Sequence, residues 1–300
     1  MKTLPNKKER FLGCLVGLAT GDALGAPYEW CKTPFTATDM IGGGSHGLKP
    51  GAWTDDTSMA LCLAESLIEK KAFDSKNQLI KYLAWVEKGH LSVDGTCVGI
   101  GRTTRQSIAM FKACGDITPR HFDFAVCGNG SIMRLASVPM FYYNHKRNAI
   151  SFSSESSKTT HIHPSCLAAC QMFGEMLWKA LHGQSKKEIL TFKHKYHSPE
   201  IGDIAKNKTY NLEPPYIEGT GHVTKSLEAA MWAFKKSRSF KHGALLAVNL
   251  GADADTTAAV YGQLAGAYYG YNNIPKSWKN RLIKRDLIEQ YATSLYNLSK

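Results

Sequence analysis

Two short strings concentrate the side chains able to do chemistry. Trp53-Thr54-Asp55-Asp56-Thr57-Ser58 heads a helical run from Met59 to Lys70, and Gly251-Ala252-Asp253-Ala254-Asp255-Thr256-Thr257 heads another that ends near Gly270. Either string alone reads as a helix start, with a hydroxyl or carboxylate capping free backbone amides and acidic groups meeting the positive end of the helix. A cap needs only one oxygen, and each string offers two carboxylates and a hydroxyl. If the strings converge, four carboxylates share a small volume. Each close like-charge pair then costs about 1 kcal/mol in water and about 4 kcal/mol at an effective dielectric of 20. Such a cluster calls for a cation. An all-oxygen donor set suits hard divalent ions, two Mg²⁺ or Mn²⁺, over structural zinc. Paired ions of this kind orient hydroxyls, activate water and stabilise developing oxyanions.

Helices must position these groups. Apolar residues recur at helical spacing in Leu167, Cys170, Phe173, Leu177 and Leu181, and again in Leu227, Ala230, Met231 and Phe234. Strand-like alternation is scarce and no βαβ pattern is present, which predicts an all-α class and one compact multi-helix domain over residues 1–300. Glycines recur every fourth residue at Gly13, Gly17, Gly21 and Gly25 and at Gly262, Gly266 and Gly270. That spacing lays them along one helix face, at a cost of about 1 kcal/mol each relative to alanine. Close packing of two central helices offsets the cost and would hold a site rigidly between their ends. The least patterned stretch, Phe192 to Gly221, reads as a long surface loop or rim.

At 300 residues, 43% hydrophobic and 21% charged, the chain is neither disordered, collagen-like nor a disulfide scaffold. Its net charge of +12 attracts phosphorylated ligands, nucleic acid or acidic partners. The lysines are scattered and no nucleic-acid reading motif is present, so nucleic acid is not the expected partner. Eight cysteines without a C-x-x-C pair fit reduced thiols. The apolar run from Phe11 to Thr20 is short for a signal peptide and for a membrane span of about 20 residues. A cytoplasmic protein with no membrane partner, acting as a monomer, is expected.

Beyond these strings, the chain resembles the ADP-ribosylglycohydrolases, within them the dinitrogenase-reductase-activating type, from about Phe11 to Gly270. The resemblance is carried by Gly17-Leu18-Ala19-Thr20-Gly21-Asp22-Ala23-Leu24-Gly25 continuing to Tyr28-Glu29, by Thr54-Asp55-Asp56-Thr57, by Gly128-Asn129-Gly130-Ser131-Ile132-Met133-Arg134, by Thr160-His161, and by Gly251-Ala252-Asp253-Ala254-Asp255-Thr256. It implies an all-helical fold with a dinuclear Mg²⁺ or Mn²⁺ centre at the base of a cleft. The ligands it implies are Thr54, Asp55, Asp56, Asp253, Asp255 and Thr256. The reaction it implies is hydrolysis at the anomeric carbon of the distal ribose, releasing ADP-ribose from a modified protein side chain, arginine foremost. Glu29, Asp55 and Asp255 would be the catalytic residues, with Glu29 as general base or water-orienting carboxylate.

The same resemblance makes Gly128, Asn129, Gly130 and Ser131 a loop cradling the ligand, where backbone amides suit a diphosphate. Arg134 either pairs with phosphate or braces that loop. His161 is implied at the diphosphate or ribose, His163 reads as structural, and His222 would stack on adenine or the distal ribose. Gly99 is also placed among the substrate-binding positions, and there the pattern breaks. The dinitrogenase-reductase-activating type has an aspartate at this point, important for arginine-linked substrates. Another linkage, cover by Asp94 or Glu29, or a catalytically weakened ADP-ribose-binding protein of the same fold would each account for the glycine.

Overall fold

The computed structural model describes residues 4–31, 35–119, 127–193, 195–206 and 211–299. Fourteen α-helices follow one another among them: α1 (Lys7–Gly25), α2 (Asp55–Lys70), α3 (Ser75–Lys88), α4 (Arg102–Cys114), α5 (Ser137–Phe141), α6 (Lys146–Ser157), α7 (Pro164–Leu181), α8 (Lys186–Ile189), α9 (Pro199–Ala205), α10 (Val223–Lys236), α11 (Phe240–Val248), α12 (Ala254–Tyr269), α13 (Lys276–Arg281) and α14 (Arg285–Leu298). No strand is present among the described residues, and the class is all-α as expected. A single continuous apolar cluster draws on residues from Phe11 to Leu295.

Helices α1 and α12 form the centre and are the most extensively packed pair. Their glycines explain how. A Cβ built on Gly13 would overlap the carbonyl of Gly266, and one on Gly266 the carbonyl of Gly13; Gly17 and Gly262 stand in the same reciprocal relation. All four overlaps are tighter than real Cβ atoms tolerate, so the seam admits no side chain on either face. One end of the seam brings Gly25 against Asp255, at the head of α12.

The stretch expected as a loop from Phe192 to Gly221 contains α9, capped by Ser198 with Pro199 in its first turn. Serine followed by proline and glutamate is a helix-start signal. The apolar spacing behind it is too short to declare itself, because only Ile201 and Ile204 are buried.

Candidate active site

Helix α2 begins without a cap of its own: Thr54 precedes it and makes no side-chain cap bond. Asp22 of α1 supplies the missing acceptor. Its carboxylate accepts from the backbone N and Oγ1 of both Thr54 and Thr57 at 2.6–3.1 Å. The cap is therefore borrowed across the fold, which leaves Asp55 and Asp56 free for another role. Burial pushes the Asp22 carboxyl up to about 6, against the pull of these hydrogen bonds.

Helix α12 is approached through Gly251 and Ala252, both left-handed at φ 76° and 53°. The turn is fastened by the Trp30 amide donating to the Ala252 carbonyl at 2.7 Å and the Asp253 amide donating to Gly219 at 2.8 Å. Asp253 accepts from Asn129 Nδ2 at 2.8 Å. The two helix starts converge. Asp22, Asp56 and Asp255 place carboxylate oxygens within 4.8 Å of one another, and so do Glu29, Asp253 and Asp255, with Asp255 common to both groups.

Burial first, then the neighbouring negative charges, hold Asp55, Asp56 and Asp255 well above the usual carboxylate range. Two oxygens, Asp56 Oδ1 and Asp255 Oδ1, are buried without a hydrogen-bond partner among the described residues. Leaving a buried acceptor unpaired costs about 1–3 kcal/mol, more for a charged one. Orphaned carboxylate oxygens in an all-oxygen cluster fit a hard cation.

Above this floor lies a cleft of about 370 Å³. Glu29, Asp55, Gly99, Gly128, Asn129, Gly130, His161, Asp253, Asp255 and Thr256 all line it. Thr54 and Asp56 do not; both are buried. Ser131 and His222 also stand outside the lining. The Ser131 hydroxyl is fully buried and accepts from Cys170 Sγ at 3.4 Å. His222 precedes α10, with Nδ1 2.8 Å from Thr224 Oγ1.

Arg134 braces the loop. It is fully buried, stacks 4.8 Å from the centre of the Tyr82 ring and donates to Thr160 Oγ1 at 2.7 Å and Thr159 Oγ1 at 3.2 Å. His163 is structural too, its Nδ1 accepting from the Ser165 amide at 3.2 Å at the start of α7. Glu29 is held from two sides, with Trp30 Nε1 donating to Oε1 at 2.9 Å and His46 Nε2 3.0 Å from Oε2. Burial and the charge of Asp253 raise its carboxyl.

At Gly99 the chain has φ +85°, and a Cβ there would lie 2.7 Å from Asp55 Oδ1. An aspartate there would strain the backbone and crowd Asp55 with a like charge. Asp94 offers no cover. It is exposed, outside the cleft, and accepts from the amide and hydroxyl of Thr96 at 2.9 and 2.7 Å.

Several groups in the site carry no expectation from the sequence. Arg102, Thr103 and Thr104, the first turn of α4, line the cleft beneath an N-cap glycine that makes no side-chain cap bond. Their amides and the Arg102 guanidinium present positive charge to the ligand. A glycine-capped helix start after a glycine-rich loop, Gly99-Ile100-Gly101-Arg102, is the signal that could have pointed there.

His161 is held neutral by burial. The Thr160 hydroxyl accepts from Arg134 and lies 2.8 Å from His161 Nδ1. Nε2 is the ring nitrogen facing the Gly128 backbone. Burial, with the Arg134 charge adding to it, lowers the imidazole to about 3. A depressed folded value means that the stability His161 contributes is complete above about 6.5 and is lost as pH falls. The stability gap between the wild type and His161→Gln is expected to shrink by about 1.4 kcal/mol per pH unit below 6. Denaturant titrations at pH 7, 6 and 5 measure it, and a gap that widens in acid contradicts the neutral tautomer.

The whole chain has clear relatives. Residues 3–300 match the family described as ADP-ribosylglycohydrolase. An ADP-ribosylarginine hydrolase, Tri1, of Serratia proteamaculans is 37% identical over 96% of this chain and 79% of its own length. The ADP-ribosyl-[dinitrogen reductase] glycohydrolase of Rhodospirillum rubrum is 29% identical over 96% of both chains. A solved structure named as an ADP-ribosylglycohydrolase-related protein complex superposes with a TM-score of 0.86 at 40% identity, covering 98% of this chain and 99% of that one. With its helical fold and its acidic cleft in agreement, the chain belongs to the ADP-ribosylglycohydrolase family of enzymes.

Proposed function

We propose that this chain is a metal-dependent hydrolase that removes ADP-ribose from ADP-ribosylated protein side chains, arginine-linked ones foremost, reversing mono-ADP-ribosylation. The observation that carries the reading is the meeting of the two acidic strings around oxygens that no protein donor satisfies. The name and 37% identity of the Serratia proteamaculans relative support the arginine linkage. Residues 1–300 are read as one domain, supported by the unbroken core. The eight free thiols support a reducing compartment, the cytoplasm. No helix among the described residues is long and apolar enough to cross a membrane.

Thr54, Asp55, Asp56, Asp253, Asp255 and Thr256 would hold two Mg²⁺ or Mn²⁺ ions. Bound there, the ions supply Lewis acidity toward the hydroxyls of the distal ribose and lower the pKa of water. Asp22 keeps Thr54 and the head of α2 in place by accepting from the amides and hydroxyls of Thr54 and Thr57. Gly128, Asn129 and Gly130 line the cleft together with the α4 start, and these segments receive the diphosphate. Asn129 is oriented by Asp253, and neutral His161 lines the same cleft.

Glu29 then acts at the anomeric carbon. Trp30 and His46 fix its two oxygens, and the carboxylate accepts a proton from the attacking water as the glycosidic bond breaks and the side chain leaves. Glu29→Gln is expected to lower kcat by about 10²-fold while calorimetric affinity for ADP-ribose stays within a factor of 3. Equal kcat for the two proteins removes Glu29 from the reaction.

One assay tests the whole reading. Arginine-linked, serine-linked and ester-linked ADP-ribose are incubated with the chain, with and without Mn²⁺. Release from the arginine linkage that depends on Mn²⁺ is expected; no release from any of the three rejects hydrolysis. Gly99 favours a second reading, a binding protein that has given up turnover, because the carboxylate of the dinitrogenase-reductase-activating type is absent and Asp94 stands elsewhere. Metal-dependent ADP-ribose binding with no turnover would identify it.

A further inference from the structure

Trp30 is the feature of the cleft that folding does not account for. Its indole is 61% exposed, although large aromatic side chains usually find cover. Its backbone is left-handed at φ 56°, a conformation that is strained for a bulky residue. The strain is held in place: the amide donates to Ala252, immediately before Asp253, and Nε1 donates to Glu29. The far edge of the ring lies beside Gly221 on the cleft wall, 3.7 Å from where a Cβ of that residue would stand. The fold thus spends backbone strain to present an open aromatic face at the mouth of the cleft.

The charge around that face selects what can sit on it. Glu29, Asp55, Asp253 and Asp255 line the cleft with Trp30, and Asp22 and Asp56 lie in the same cluster below. Two divalent ions would offset four of those six formal negative charges and Arg102, on the same cleft, a fifth, which still leaves the cleft negative. A flat cation above an indole, beside carboxylates, gains from both the ring quadrupole and the field.

Resting on the hydrolase reading above, we propose that Trp30 is the platform for the guanidinium of an ADP-ribosylated arginine. It thereby makes the cleft prefer arginine-linked substrates over serine-linked or ester-linked ones, whose linking atoms carry no positive charge. Trp30 binds the leaving side chain while the ribose and diphosphate are held deeper. No bond is made or broken at the indole.

The test separates platform from hydrogen bond. Trp30→Phe keeps an aromatic face and loses the donor to Glu29; Trp30→Ala loses both, and neither removes a core contact. KM for arginine-linked ADP-ribose is expected to rise about 3- to 30-fold in Trp30→Ala and to be largely restored in Trp30→Phe. KM for the serine-linked substrate is expected to stay unchanged in both. A kcat loss of equal size in both variants on every linkage would mean that Trp30 serves only Glu29, and an unchanged KM in Trp30→Ala would remove it from recognition; either result overturns the proposal. Should the wild type cleave no linkage, the hydrolase reading fails separately, and calorimetry still decides: ADP-ribosylarginine must bind more tightly than ADP-ribose to the wild type and must lose that advantage in Trp30→Ala.

Discussion

Asp255→Asn is expected to lower metal-dependent release of ADP-ribose by at least about 10³-fold, because lost metal-ion stabilisation of the transition state is worth several kcal/mol. Asp255 is the one carboxylate common to both acidic groups, so no neighbour replaces it. The same substitution is expected to stabilise the metal-free protein. It exchanges a buried carboxylate, pressed by the charges of Asp253, Asp56 and Glu29, for a neutral amide of equal size. A gain of about 0.5–2 kcal/mol is usual when a residue kept for function is relaxed in this way. Melting curves at pH 8 with and without Mn²⁺ check both halves. The wild type should gain stability on adding the ion and the variant should not. If the variant melts lower than the wild type without metal, the cluster is not repulsive; if it retains a full response to Mn²⁺, the ion is held elsewhere.

Gly266→Val is expected to destabilise the fold by about 3 kcal/mol, a Tm fall on the order of 6–10 °C. The new side chain meets the carbonyl of Gly13, which is helix backbone and has nowhere to go. Gly202→Ala provides the opposite sign. Gly202 lies in α9, a Cβ there meets nothing within 4 Å, and its φ is not positive. Replacing it should add about 0.5–1 kcal/mol of helix propensity. Thermal unfolding of the two variants side by side decides whether the seam matters, since glycine content alone predicts a gain at both positions.

The seam and the acidic strings were legible because both are local patterns: a repeat of four along one chain segment, and carboxylates crowded beyond what a cap uses. What stayed hidden depends on neighbours far along the chain. Asp22 sits within an apolar run, and nothing nearby reveals that it caps α2 from outside. Arg134 was open between phosphate and brace until Tyr82 and Thr160 were seen to enclose it. Ser131 follows Gly130 directly, yet its hydroxyl turns inward to Cys170. Trp30 reads as an ordinary apolar residue, and only its backbone conformation and exposure single it out.

The borrowed cap has a consequence for biosynthesis. Helix α1 leaves the ribosome before α12, carrying Asp22 and the glycine face, while the backbone it docks against and the carboxylates of Asp253 and Asp255 are translated long after it. A nascent chain that stops short of α12 has the first acidic string without the second, and its central groove lies open. On the proposed metal-dependent reading, cation capture awaits synthesis of Asp253 and Asp255, and chains truncated before Asp253 are expected to emerge both unfolded at the centre and unable to retain Mn²⁺.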